Sequence, residues 1–247
     1  MHSSQVQFSV LSHAAWAPGL DTAAAWQEWA VEPSPAVIQG SQEAPVKDMA
    51  PMLRRRAGFL GKMALEVAYR CLDDRKNIPT VFCSRHGDVA RALALLNNVV
   101  DGEPMSPTNF GLAVHNANAG LFSIARQDQA SHIALAAGSN TVEHGVIEAC
   151  SLLADGAEMV LLVVYDNALP PVYQPYQDCQ EQAHAWAWLM AAPSGPAITL
   201  RWSKGGQQTP APGSLPASLQ VWKFFVNQSQ NLDYVAQQRQ WCWSRHG

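Results

Sequence analysis

The chain has 247 residues, 48% of them apolar and 15% charged, with a formal net charge of −4. That length and apolar content are enough to bury the core of one large domain, or of a domain with an appendage. The acidic balance leaves no electrostatic footprint for nucleic acid or for an anionic membrane surface.

The start, MHSSQVQFSV, has neither a basic opening nor a long apolar run, so no signal peptide is read. Gln5–Val10 alternates polar and apolar residues and predicts a strand, and Asp21 caps a short helix carrying Trp26 and Trp29. Pro33, Pro35, Gly40 and Pro45 mark residues 31–50 as a loop. Over 52–72, the recurrence of Leu53, Ala57, Leu60, Ala64, Val67 and Cys71 predicts one long amphipathic helix. Arg54-Arg55-Arg56 is its solvated start, and Glu66 and Arg70 form an i,i+4 pair.

Thr80–Cys83 reads as a strand and Asp88–Asn97 as a helix. Between them, Arg85-His86-Gly87-Asp88 is a weak candidate for anion binding where a helix opens. A loop at Asp101–Pro107 leads through Phe110–Val114 to a helix over Asn116–Arg126. Ser131–Ala137 is a strand, Thr141–Asp155 a helix, and Met159–Val164 an apolar strand buried on both faces but too short to span a bilayer. The alternation implies a largely parallel sheet with helices on both faces.

Beyond it, His184–Met190 and Ile198–Trp202 read as a hairpin, Gly205–Pro216 as a connector, and Ser218 as the cap of a helix with Trp222 and Phe225. The expected organisation is a domain over 1–170 and a small extension over 171–247 packed on it. Five scattered cysteines, Cys71, Cys83, Cys150, Cys179 and Cys242, form no CxxC pair. No metal, cofactor or disulfide framework is expected, and a reducing cytoplasm fits.

Ser106-Pro107-Thr108-Asn109-Phe110 followed by Val114-His115-Asn116-Ala117-Asn118-Ala119-Gly120 resembles the ketosynthase family. Leu53–Leu72, Ser131–Ala137 and Glu148–Asp166 are similar, in the same order, to that family's helices and strands. The resemblance covers about Leu53–Asp166. It is nearest to the ketosynthase-like N-terminal domains found beside bacterial fatty-acid and polyketide gene clusters, including those for aryl polyenes. It implies half of a thiolase-like α/β fold with a C-terminal hairpin and helix added.

The family's chemistry needs a cysteine at a strand tip where a helix begins, so that the helix dipole lowers the thiol pKa. Alignment puts this slot at Gly138 or Ser139, and Cys150 lies at the far end of the helix. Ser139 with His144 as base is an alternative acyl-thioester-handling site. The simpler reading is a helix start, with Asn140 and Glu143 as a capping box.

Without its nucleophile, the chain resembles the chain-length factors of type II polyketide systems. The resemblance implies a non-catalytic subunit that pairs with a complete beta-ketoacyl synthase, with an acyl carrier protein as a further partner. The surface it implies includes Phe110, His115, Asn116, Leu121, Phe122 and Ile124, and His132, Ile133 and Leu135 on the strand before the slot. A self-associating acyl-binding scaffold is the other alternative.

Overall fold

In the computed structural model, which describes residues 4–206 and 213–246, one eight-stranded sheet organises the chain. The strands are β1 (Ser4–Trp16), β2 (Thr80–Cys83), β3 (His132–Leu135), β4 (Met159–Asp166), β5 (His184–Ala191), β6 (Ala197–Lys204), β7 (Asn231–Ala236) and β8 (Arg239–His246). Their spatial order is β3-β2-β4-β5-β1-β6-β8-β7. β3, β2 and β4 run parallel, and every other pairing is antiparallel.

The core follows from the two-residue period of the central strands. Val160, Leu162 and Val164 of β4 join Trp186, Trp188 and Met190 of β5 on one face. Leu161, Val163 and Tyr165 join Ala185, Ala187 and Leu189 on the other. The first face is covered by α1 (Ala23–Val31), α7 (Thr141–Ala154) and α8 (Ala217–Val226). The second is covered by α3 (Phe59–Leu72) and α6 (Ala117–Arg126). Three other helices are α2 (Pro51–Arg54), α4 (Val89–Val100) and α5 (Pro107–Ala113).

Several expectations from sequence are corrected. The opening strand reaches Trp16, with residues 4–8 pairing with β6 and residues 9–16 with β5, and a register shift between Val10 and Ser12 inside the second pairing. The long helix over 52–72 is two helices. Pro51 starts α2, the turn closes through Arg56 N–H to the Leu53 carbonyl, and Gly58 restarts the chain in an extended conformation (ψ 179°). A Cβ at Gly58 would lie 2.8 Å from Arg91 Nη2 and 3.0 Å from Asp88 Oδ2, so any side chain there would displace this pair. Arg54 is not simply solvated, since its Nη1 donates to the Pro45 and Val46 carbonyls at 3.2 and 3.3 Å. The Glu66–Arg70 pair forms at 2.6 Å, and Glu66 also accepts from Val46 N–H.

Phe110 lies on α5, where Ser106 accepts from Asn109 N–H as cap. Pro216, not Ser218, caps α8. The residues after Asp166 complete the same sheet, and the hairpin expected over His184–Trp202 does not form, since β5 pairs with β4 and β1 while β1 separates it from β6. The central part of the Gly205–Pro216 connector lies outside the described residues, as do the first three residues of the chain.

Candidate functional site

The parallel strands β3, β2 and β4 end together, and the polar groups that follow them converge. Asp166 at the end of β4 accepts from Ser84 Oγ at 2.9 Å and from Arg85 N–H at 2.8 Å. Ser84 Oγ in turn accepts from Gly87 N–H at 2.9 Å. The Arg85 guanidinium meets Asp178 at 2.7 Å, Glu181 at 3.2 Å and Cys179 Sγ at 2.9 Å, while His86 Nε2 meets Glu181 at 2.8 Å. Asp178, Cys179 and Glu181 would make a plausible cation-ligating trio, but the Arg85 guanidinium already fills that place.

Burial raises the Asp166 carboxyl to about 6, against the pull of Ser84 and Arg85. The Glu181 contact raises His86 above its ordinary value. The Arg85-His86-Gly87-Asp88 segment is therefore internally paired, and it ties the segment after β4 back to the end of β2. Asp88 caps α4 by accepting from Arg91 N–H at 3.1 Å.

Beside this cluster, a 3-10 turn at Gly138–Asn140 links β3 to α7 and holds the expected slot residues Gly138 and Ser139. Gly138 has φ +56°, and a Cβ there would run into the Gln237 amide. Asn140 Nδ2 donates to Gln237 Oε1 at 3.0 Å, and Trp241 Nε1 donates to Asn140 Oδ1 at 3.1 Å. The β7–β8 hairpin thus closes over the slot.

The expected capping box is absent, because the Asn140 side chain bonds across to this hairpin and not to the helix start. Glu143 is fully buried, with both carboxylate oxygens unpartnered, and burial raises it to about 8. Ser139 makes no side-chain hydrogen bond to His144 among the described residues. The His144 ring instead lies edge-on to Trp241, 5.9 Å between centroids. Burial and Arg239 lower the His144 pKa.

No described cysteine is activated. Burial raises the thiols of Cys71 to about 11 and of Cys150 and Cys179 to about 12, and pushes Cys83 and Cys242 up as well. Gly138 and Ser139 open on a cavity of about 630 Å³ lined also by Val142, Val164, Leu215, Ser218 and Tyr234.

The surface residues separate into two groups. Phe110 and Ile124 stand exposed, at 57% and 62%, and β3 with His132, Ile133 and Leu135 is an edge strand paired only with β2. Asn116 is exposed and starts α6 without a side-chain cap bond. Leu121 and Phe122, by contrast, are buried inside the chain. The Phe122 ring packs 5.2 Å from Tyr69 and 5.8 Å from Phe82, leaving almost nothing for a partner to touch. His115 is likewise turned inward, its Nε2 donating to the Ser84 carbonyl at 2.9 Å.

Sequence reasoning missed Asp178, Glu181 and Gln237. Each acts across about ninety-five residues of chain, and no local spacing marks them. No helix among the described residues is long and apolar enough to cross a membrane.

The family described as beta-ketoacyl synthase, N-terminal domain, matches residues 26–244. Among solved structures, a chain of the complex of the ketosynthase ApeO with its chain length factor ApeC from Xenorhabdus doucetiae is similar at TM-score 0.84 and 25% identity. That match covers 97% of this chain and 100% of that one. The ishigamide ketosynthase/chain length factor is similar in fold at TM-score 0.63 and 13% identity, over 81% of this chain and 68% of that one. A chain of AntDE:AntF, a type II polyketide acyl-carrier protein in complex with its ketosynthase, matches at TM-score 0.58 and 13% identity, over 76% and 64%. No curated protein sequence matches the chain.

Proposed function

The chain belongs to the beta-ketoacyl synthase N-terminal-domain family, and from that premise we propose that it is a chain-length-factor-like subunit with no condensing activity of its own. It pairs with a complete beta-ketoacyl synthase, stabilises it and shapes the acyl cavity at their interface, in type II polyketide or fatty-acid biosynthesis of the aryl polyene kind.

The observation that carries this reading is the state of the nucleophile slot. Decarboxylative condensation by this family needs a thiolate at the slot. Here the slot is a left-handed glycine and a serine without a base, with Asn140, Gln237 and Trp241 hydrogen-bonded over it. The structural match to a ketosynthase and chain length factor complex, over the full length of the matched chain, points the same way.

Phe110, Ile124 and the free edge of β3 are the surface through which pairing occurs. A strand with an open row of N–H and C=O groups favours association unless covered, and two large exposed apolar side chains add a desolvation gain of about 1.5–3 kcal/mol each when fully buried. An acyl carrier protein is a second partner, delivering thioesters to the assembly. The test is a condensation assay with acyl and malonyl thioesters. The chain alone should give no β-ketoacyl product, while the chain with its ketosynthase should. Product from the chain alone would overturn the reading.

A further inference from the structure

The cavity that opens on the degenerate slot holds a second hydroxyl, and this one has a base. Ser218, in the first turn of α8, lines the same space of about 630 Å³ as Ser139. Its Oγ lies 2.8 Å from Nε2 of His184, the first residue of β5. The other ring nitrogen, Nδ1, lies 2.8 Å from the Gln182 carbonyl oxygen.

A carbonyl can only accept, so Nδ1 carries the ring proton and Nε2 keeps its lone pair. The Ser218 hydroxyl therefore donates to Nε2, as a nucleophile does to its general base. Gln182 stands in the orienting position that a carboxylate occupies in a Ser-His-Asp triad. Trp186 Nε1 donates to the Ser218 carbonyl at 3.0 Å and pins its backbone.

His184 is fully buried, and burial lowers its pKa to about 4, so the imidazole is neutral with Nε2 open to accept, and near pH 7 it is a weak base. At the start of α8 the N–H groups of Leu219 and Gln220 bond to the Pro216 carbonyl. Those of Ala217 and Ser218 have no intrahelical acceptor, and they sit at the positive end of the helix, which favours negative charge nearby. The cavity lining is mixed: Val142, Val164, Leu215 and Tyr234 offer an apolar side for an acyl chain, while Arg85, Asp166 and Asp178 make the other side charged.

We propose that Ser218 and His184 form a nucleophile–base dyad that accepts acyl groups from thioesters entering this cavity. Ser218 Oγ attacks the thioester carbonyl while His184 Nε2 takes its proton. The C–S bond then breaks, and the imidazolium returns that proton to the departing thiolate. This leaves an acyl-serine ester. Water attacks the ester, passing a proton to His184, and Ser218 recovers it as the carboxylic acid leaves. The net change is thioester plus water to acid plus thiol, a clearance of stalled acyl groups. It does not depend on the pairing proposed above.

The test uses the purified full chain, a fluorophosphonate probe and a medium-chain acyl N-acetylcysteamine thioester, read by intact mass and peptide mapping. The expected result is one adduct on the peptide containing Ser218, absent in Ser218→Ala and formed about 100-fold or more slowly in His184→Asn. No adduct on Ser218 of the wild-type chain, under conditions that label a known serine hydrolase, overturns the proposal. So does an adduct that maps to Ser139. The mapping on the wild-type chain decides the matter even if a variant fails to fold.

Discussion

Asn140 and Gln237 are 97 residues apart in the chain and joined by a 3.0 Å hydrogen bond, with Trp241 completing the set at 3.1 Å. This contact couples the start of α7 to the β7–β8 hairpin. It places the Gln237 amide against Gly138, in the space a Cβ there would need. Asn140→Ala would remove both bonds and leave the fully buried Trp241 indole N–H unsatisfied. The expected loss is about 1–3 kcal/mol in urea unfolding. An unchanged midpoint would mean that the hairpin is held without this contact.

Gly138 offers a second test of the same closure. Gly138→Ala must adopt φ +56° and also displace the Gln237 amide. In the wild-type background it should cost about 1–3 kcal/mol. In a Gln237→Ala background the steric part disappears and the cost should fall, which a double-mutant cycle would register as a coupling of at least about 0.5 kcal/mol.

Arg85 is the centre of the ion cluster at the ends of β2 and β4, with its side chain 10% exposed and that of Glu181 only 3%. Arg85→Met would leave the Glu181 carboxylate buried without its guanidinium. Breaking such a pair from one side costs up to about 3–5 kcal/mol, and the remaining His86 contact at 2.8 Å keeps the loss toward the lower end. Thermal unfolding should therefore drop by several degrees, with partial recovery when Glu181→Gln is added.

Glu143 gives a pH dependence of definite sign. Its ordinary pKa of 4.5 rises to about 8 on burial. Between these values the folded state holds a proton that the unfolded state has released. The group's contribution is therefore greatest below pH 4.5, declines as pH rises through the window, and levels off above pH 8. Glu143→Gln should remove this dependence. The variant's stability advantage over the wild-type chain should grow from pH 5 to pH 8, by a few kcal/mol at about 1.4 kcal/mol per pH unit. A constant difference across that range would show that Glu143 is ionised in the folded chain.

The pairing surface makes its own prediction. Phe110→Asp with Ile124→Asp alters two exposed side chains, so the isolated chain should keep its stability to within about 0.5 kcal/mol. The same change should reduce co-purification with the ketosynthase at least tenfold. Leu121→Asp is the contrasting case. Leu121 is 5% exposed, and a charge there should unfold the chain itself.

The parts of the fold legible in the sequence were those whose signal is local. The apolar run at Met159–Val164 and the helical recurrence at Leu60, Ala64, Val67 and Cys71 each reflect one element facing one core. The break before Phe59 was not legible, because Gly58 is hemmed in by Arg91 and Asp88 of a later helix. The capping box failed for the same reason, since Asn140 found its partners on the last hairpin. That hairpin turns on Gln237-Gln238, both at positive φ (46° and 63°), with none of the glycine or asparagine that usually marks such a turn. The contacts that Gln237 and Trp241 make over Gly138–Asn140 were not legible, and neither was the inward turn of Phe122, whose partners Tyr69 and Phe82 come from separate elements.

The most direct measurement is the native mass of the chain co-expressed with a complete ketosynthase from its own gene neighbourhood. A non-catalytic pairing subunit should give one complex with equal numbers of the two chains, and a ketosynthase that loses solubility and product yield when expressed alone. Two separate species, together with a ketosynthase equally soluble and active by itself, would contradict the account.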